Sequence, residues 1–357
     1  MLKKAGLAVL ATLSMLVLMH GCTGIGPKTV TRDRFNYIEA LSDSWKKQML
    51  LNLVKIRYVD APVFLEVASV ISQYEVVGQV DLELGWSNSL VGGDSQTVGG
   101  SGTYSDRPTV TYTPLVGEKF TRSLMTPIPV EGILSLIQAD YPVNFILRIC
   151  VQTINNIDNR SGGGLDPRPA DPKFYELIEA LRKVQQSGKL GMRVKSIGED
   201  ERVVMFFRAE DADEDFQEDN VARKILGLDP DAAEFRVVYG AIGMDDRELA
   251  MLTRSMLQIM IELGSYVEVP AKDVDEGRVA AGFTADEASD VPPLIRIHSG
   301  ASSPKDAFVA VPYRDNWFWI DDTDLPSKRI FSFLMMLFSL TETGDRAAAP
   351  IVTVPTN

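Results

Sequence analysis

Between residues 33 and 58 apolar positions recur every three or four residues, at Ile38, Leu41, Trp45, Met49, Leu53 and Ile56, with Glu39, Asp43, Lys46 and Lys47 largely elsewhere. That spacing predicts an amphipathic helix, and Lys55 and Arg57 near its C-terminal end suit the helix dipole. Its apolar stripe fits the core of its own domain or a partner helix. The period then changes to two. Val80, Leu82, Leu84 and Trp86 alternate with Gln79, Asp81, Glu83 and Gly85, which predicts a strand, with a return strand at 109–113. The Gly/Ser-rich stretch 87–108 between them reads as an exposed loop, giving a β-hairpin over 75–113.

Further along, 130–139 reads as helix, and the apolar run 143–154 fits helix or strand equally. Helices are expected at 173–186, 219–226 and 245–263. Strands are expected at 191–196, 203–208, 234–239, 265–269, 293–298, 307–313 and 317–320, with a short tail strand at the end. The closing helix 327–340 contains IFSFLMMLFSL, apolar on nearly every face yet only about 16 Å long at 1.5 Å per residue, too short to span a bilayer. It suits a core or an oligomer face. This order implies an α+β fold, in small mixed layers of helices packed on antiparallel or mixed sheets, with the Gly/Ser-rich hairpin in the N-terminal region.

The start of the chain follows a different logic. Lys3 and Lys4 precede an uncharged apolar run from Ala5 to Met19, then Gly21 and Cys22, which are the three regions of a secretory signal. About fifteen apolar residues are too few for a membrane span. The residues Met19, His20, Gly21 and Cys22 resemble the lipobox of bacterial lipoproteins, although Met19 and His20 depart from its commonest form. The resemblance covers only about the first 26 residues. It implies cleavage before Cys22 and acylation of that cysteine with palmitate-type chains, which anchor the protein without a second membrane segment because each buried methylene contributes about 0.8 kcal/mol. Thr23 follows where retention in the inner membrane, by resemblance to enterobacterial lipoproteins, usually uses Asp. The expected location is therefore the cell envelope, anchored in the outer membrane and facing the periplasm.

Processing leaves 336 residues and takes the formal charge from −13 to −15, since Lys3 and Lys4 depart with the leader. Nucleic acid and anionic lipid faces are poor partners for such a chain. A length of this order suggests two domains. The stretch NRSGGGLDPRPADP, 159–172, is the plainest joint, so the expected division is signal 1–21, tether 22–32, N-terminal domain 33–158, linker 159–172 and C-terminal α+β domain 173–357.

Candidate chemistry is sparse. After processing, Cys150 is the only free thiol and sits in an apolar run, so it reads as a small buried hydrophobe, and no internal disulfide can form. His298 is then the only histidine, which excludes zinc sites built from two or more. No G-x-S-x-G elbow and no Walker loop is present. The acidic run AEDADEDFQED has the Asp211, Asp213, Asp215 spacing of a calcium loop, but Phe216 stands where the turn needs Gly and Ala222 where the loop needs Glu. The second acidic group, Asp321, Asp322 and Asp324 after Trp317 and Trp319, suits sugar binding or cleavage. Equally, Asp324 can cap the last helix with Pro326 in its first turn, while Trp317 and Trp319 share one strand face.

No cofactor and no metal is expected. The function expected is a structural or interaction module in a periplasmic or outer-membrane assembly, possibly export-related, with envelope proteins or further copies as partners. The alternatives are a glycan hydrolase using Asp321, Asp322 or Asp324, and an oligomeric pore built from the 75–113 hairpin with Val80, Leu82, Leu84 and Trp86 facing lipid.

Overall fold

The structure, a computed structural model, describes residues 27–71, 74–85, 95–106, 109–163, 167–197, 200–207, 218–282 and 291–341. The chain is α+β and divides into two compact units, one of residues 27–62 with 124–341 and the other of residues 63–123. The signal region with Cys22, Trp86, the acidic run up to Gln217 and the tail after Thr341 lie outside the described residues.

Helix α1 (Pro27–Arg57) opens the larger unit. Its stripe divides along its length. Met49, Leu50, Leu53 and Val54 are fully buried, whereas Ile38 and Phe35 are exposed. The buried half packs on β12 (Ala307–Tyr313) and α7 (Met256–Gly264). Helix α7 starts with a capping box, in which the Ser255 side chain accepts from the Gln258 amide and the Gln258 side chain accepts from the Ser255 amide.

The main sheet has six strands in the order β6-β5-β10-β9-β8-β7: β5 (Val151–Ile154), β6 (Ile157–Asp158), β7 (Leu190–Ile197), β8 (Asp200–Phe207), β9 (Glu234–Tyr239) and β10 (Glu248–Thr253). Only β9 and β10 run parallel. Helices α3 (Val130–Gln138), α4 (Val143–Cys150), α5 (Pro172–Gln186) and α6 (Glu218–Leu226) complete this layer. In α5, Asp171 accepts from the Lys173 amide and Pro172 follows it, a sequence-coded start. Phe174, Leu177, Ile178, Leu181 and Val184, at helical spacing, are its buried face.

A smaller antiparallel sheet, β11-β13-β12, combines β11 (His298–Gly300), β12 and β13 (Asn316–Asp321). Helix α9 (Leu325–Thr341) packs on β13 and α7, burying Ile330, Phe331, Leu334 and Leu337. A short helix, α8 (Ala271–Asp275), precedes β11. Among the described residues no helix is long and apolar enough to cross a membrane.

Several expectations are corrected. The run 245–263 is strand β10 followed by helix α7. Strand β10 is covered on both faces, so its apolar run carries no helical period to break, and the break is set by the cap at Ser255. The run 143–154 is both predicted types in turn, α4 and then β5. The expected strand 265–269 is reduced to a single parallel bridge between Val267 and Ile297, and 293–298 yields strand only from His298.

The expected joint 159–172 lies inside the larger unit, whose limits fall at 62/63 and 123/124 instead. Asn159 donates to the carbonyls of Arg148 and Val151, at 3.0 and 2.7 Å. Arg160, 3% exposed, pairs with buried Glu262, which also accepts from the Gly162 amide at 2.7 Å. Buried Arg254 donates to the carbonyls of Arg148, Ile149 and Arg160. Gly163 lies so close to α7 that a Cβ there would come within 2.5 Å of the Ile261 carbonyl. Gly162 and Gly163, two of the glycines that suggest a joint, thus serve close packing.

The smaller unit, 63–123, is built on a two-stranded ribbon. Strands β1 (Leu65–Ile71) and β4 (Thr109–Pro114) pair antiparallel, and so do β2 (Tyr74–Gly85) and β3 (Ser95–Asp106). Ile71 lies opposite Thr109 and Tyr74 opposite Asp106, three residues further on each strand, so both ladders keep one register. One irregularity, between Val67 and Ser69, interrupts the inner ladder. Much of the expected loop 87–108 is therefore strand β3, and the segment 109–113 pairs with β1 rather than with 80–86. A Gly/Ser stretch has little intrinsic strand preference, and its paired backbone overrides that preference. After β4 come a single helical turn, α2 (Gly117–Phe120), and a π turn, Thr121–Met125.

Candidate functional site

The candidate residues of the second acidic group sit around β13. Phe318 and Ile320 are buried on one face of the strand, and Trp317 and Trp319 are half-buried on the other. Strand β11 places His298 opposite Trp319 and Gly300 opposite Trp317. The imidazole and indole rings lie 5.7 Å apart. His298 Nδ1 is 3.0 Å from Glu268 Oε1, and its Nε2 is 3.5 Å from Asp321 Oδ2. The indole nitrogen of Trp319 donates to the other oxygen of Asp321, at 3.0 Å. Glu268 was not legible as a member of this group, since the Val267–Ile297 bridge that brings it there is tertiary.

Asp322 and Asp324 are held elsewhere. Lys328 donates to the Asp322 carboxylate at 2.6 Å and to its carbonyl at 2.9 Å. Asp324 accepts from the Ser327 amide and hydroxyl, at 3.2 and 2.7 Å, as an N-terminal cap of α9. Burial pushes the Asp324 carboxyl up, but the two bonds from Ser327 and the nearby Arg296 and His298 outweigh it and leave it below its ordinary value. A general acid for glycoside cleavage needs the opposite shift. Neither of two sizeable clefts in the larger unit, of about 610 and 300 Å³, is lined by Trp317, Trp319, Asp321, Asp322 or Asp324. The arrangement is a capped helix start beside a half-exposed histidine bracketed by carboxylates.

A depressed carboxyl contributes stability above its unfolded pKa of about 3.9 and loses it as pH falls through the lower folded value. Asp324→Asn keeps the capping geometry and removes the charge. Urea unfolding is therefore expected to find the wild type more stable than this variant at pH 6, with the difference vanishing as pH falls below about 4 and through the folded value. An equal difference at pH 6 and pH 2.5 would show that the charge is not what matters.

Cys150 is fully buried at the end of α4, and burial pushes its thiol up to about 12 against the opposing pull of Arg254. It is an inert thiol. Among the described residues no cluster of three or more His, Cys, Asp or Glu is arranged to hold a metal ion.

The ribbon is the other candidate. Residues directly opposite on antiparallel strands share a face, so the β2–β3 register fixes which residues go together. One face carries Tyr74, Val76, Val80, Leu82 and Leu84 of β2 with Gln96, Val98, Tyr104 and Asp106 of β3; the glycines 78, 100 and 102 fall between them. The other face carries Glu75, Val77, Gln79, Asp81 and Glu83 with Ser95, Thr97, Ser101, Thr103 and Ser105. At the inner end Leu65, Val67 and Tyr112 are exposed, with Val67 opposite Tyr112. Among the described residues neither long strand has a second strand neighbour, so each presents a free row of backbone amides and carbonyls. The half of this pattern on β2 was legible as alternation; the half on β3 needed the register. No family model, no curated protein and no solved structure matches this chain.

Proposed function

We propose that this chain is a lipid-anchored envelope protein, cut before Cys22 and acylated there, that acts as an interaction module at the periplasmic side of the outer membrane and assembles with copies of itself through the open edges of its ribbon. The carrying observation is the β2–β3 ladder, twelve residues on each strand with both outer edges unpaired among the described residues. A lone two-stranded ribbon is marginal in water, and unpaired edges template further strand pairing. Identical copies offer edges of matching length and register. The leader and Cys22 support the anchor, and the acidic composition accords with protein rather than nucleic-acid partners.

The test is the native mass of the full acylated protein extracted from its own membrane in mild detergent, with co-extracted chains identified. A discrete particle several times the mass of one chain, containing this chain repeatedly, is the expected result. A lone monomer at membrane concentrations would remove the reading.

A further inference from the structure

From the ribbon's register and length we infer that the completed sheet closes into a membrane-crossing barrel, each copy contributing β2 and β3, with acyl chains covering the face of Val80, Leu82 and Leu84. This rests on the self-association proposed above and adds the identity of what covers the apolar face.

Length is the first argument. Twelve residues at about 3.3 Å each make a ladder of about 40 Å, and a tilt of about 40° reduces its height to about 30 Å, enough for the apolar band of about 25 Å that barrels present. The second is the division of faces. A barrel strand in a membrane is apolar outside and polar inside with a period of two; β2 has that division from Val80 to Leu84, and the register sets Val98 and Tyr104 of β3 on the same face, with Gln96 and Asp106 at its two ends. Tyr104 and Tyr74 stand at one end of the ladder, where barrels place interfacial aromatics.

The third argument concerns cover. A soluble half-buried ribbon needs a helix or second sheet on its apolar face, and unit 63–123 offers, among its described residues, only α2 and a π turn beyond the four strands. The fourth is charge. Residues 74–106 contain no Lys or Arg; Glu75, Asp81 and Glu83 fall on the polar face, and Asp106 falls on the other face only at the end of the ladder, opposite Tyr74. Repetition around a barrel stacks these into rings of carboxylates, which select cations. Two strands per copy require at least four copies for the smallest eight-stranded barrel.

The experiment uses the acylated protein, bearing Leu82→Cys or Glu83→Cys, labelled with an environment-sensitive fluorophore and reconstituted in phosphatidylcholine vesicles. Cys150 is buried and stays unlabelled. The pair Val80→Cys and Asp81→Cys repeats the test should either first variant fail to assemble, and native mass is read on every sample. The expected result is blue-shifted emission at 82 and 80, lost on adding nitroxide-bearing lipid, and water-like emission at 83 and 81. Cation-selective conductance weakened in Asp81→Asn, Glu83→Gln accompanies it. Multimers in which both positions of a pair emit as in water would overturn the barrel and leave self-association standing; another protein covering the face belongs to this outcome. Absence of multimers removes both.

Discussion

Replacing Glu262 with alanine should lower the unfolding free energy by about 3–5 kcal/mol, because it strands a buried charge. Glu262 and Arg160 are each about 4% exposed in their side chains and bonded to one another. The guanidinium also lies 3.0 Å from the Ser265 hydroxyl and over the Tyr266 ring, 4.3 Å from its centre. Neither of those contacts neutralises a cation. The same carboxylate accepts the Gly162 amide, so the substitution loosens the 159–163 segment as well. Removing both charges is a different matter, since paired buried ions offset their desolvation only in part. The double variant Arg160→Met, Glu262→Leu is therefore expected to recover part of the loss, since buried Arg254 still loses the opposite charge that Glu262 supplies. Urea midpoints of the three proteins check this; a Glu262→Ala loss under about 1 kcal/mol would show that the pair behaves as a surface one.

Phe318→Ala should cost about 3–5 kcal/mol, the range for emptying a fully packed aromatic site. Phe318 is wholly buried on β13 and meets Tyr58, in the turn just after α1, edge-on, with ring centres 6.1 Å apart. Its loss opens a void beneath the contact between α1 and the small sheet. Trp317 and Trp319 flank it on the half-exposed face, and Trp317→Ala should cost distinctly less despite the larger side chain. Thermal or urea unfolding of the two variants decides the order. A reversed order would mean that the tryptophan face is covered in the working protein.

That contrast illustrates what the sequence made legible. The tryptophans and aspartates of WFWIDDTD drew notice as chemical residue types, yet period-two alternation already placed Phe318 and Ile320 on the opposite face. Asp324 was readable as a cap because capping is local. Glu268 was not readable as a neighbour of His298, because a single bridge thirty residues apart in sequence leaves no periodic trace. The expected spans 173–186, 234–239 and 307–313 match α5 to within one residue and β9 and β12 at both ends. Strand β10 resisted, since cover on both faces erases the period that separates strand from helix. Strand β3 resisted for the opposite reason. Its Gly, Ser and Thr residues carry almost no apolar signal, and only pairing with β2 reveals its faces. The glycines at 162 and 163 misled because flexibility and close approach call for the same residue.

Helix α1 has a mechanical meaning as well. From Arg34 to Ser44 its residues are exposed or half-exposed, and full burial begins only at Met49. The stretch from Pro27 to Ser44 rises roughly 27 Å. Under the proposed acylation of Cys22, five residues before Pro27, that stretch would act as a stand-off, holding the larger unit clear of the headgroups like a post. Its length would then set a clearance that a flexible tether of the same residues could not maintain.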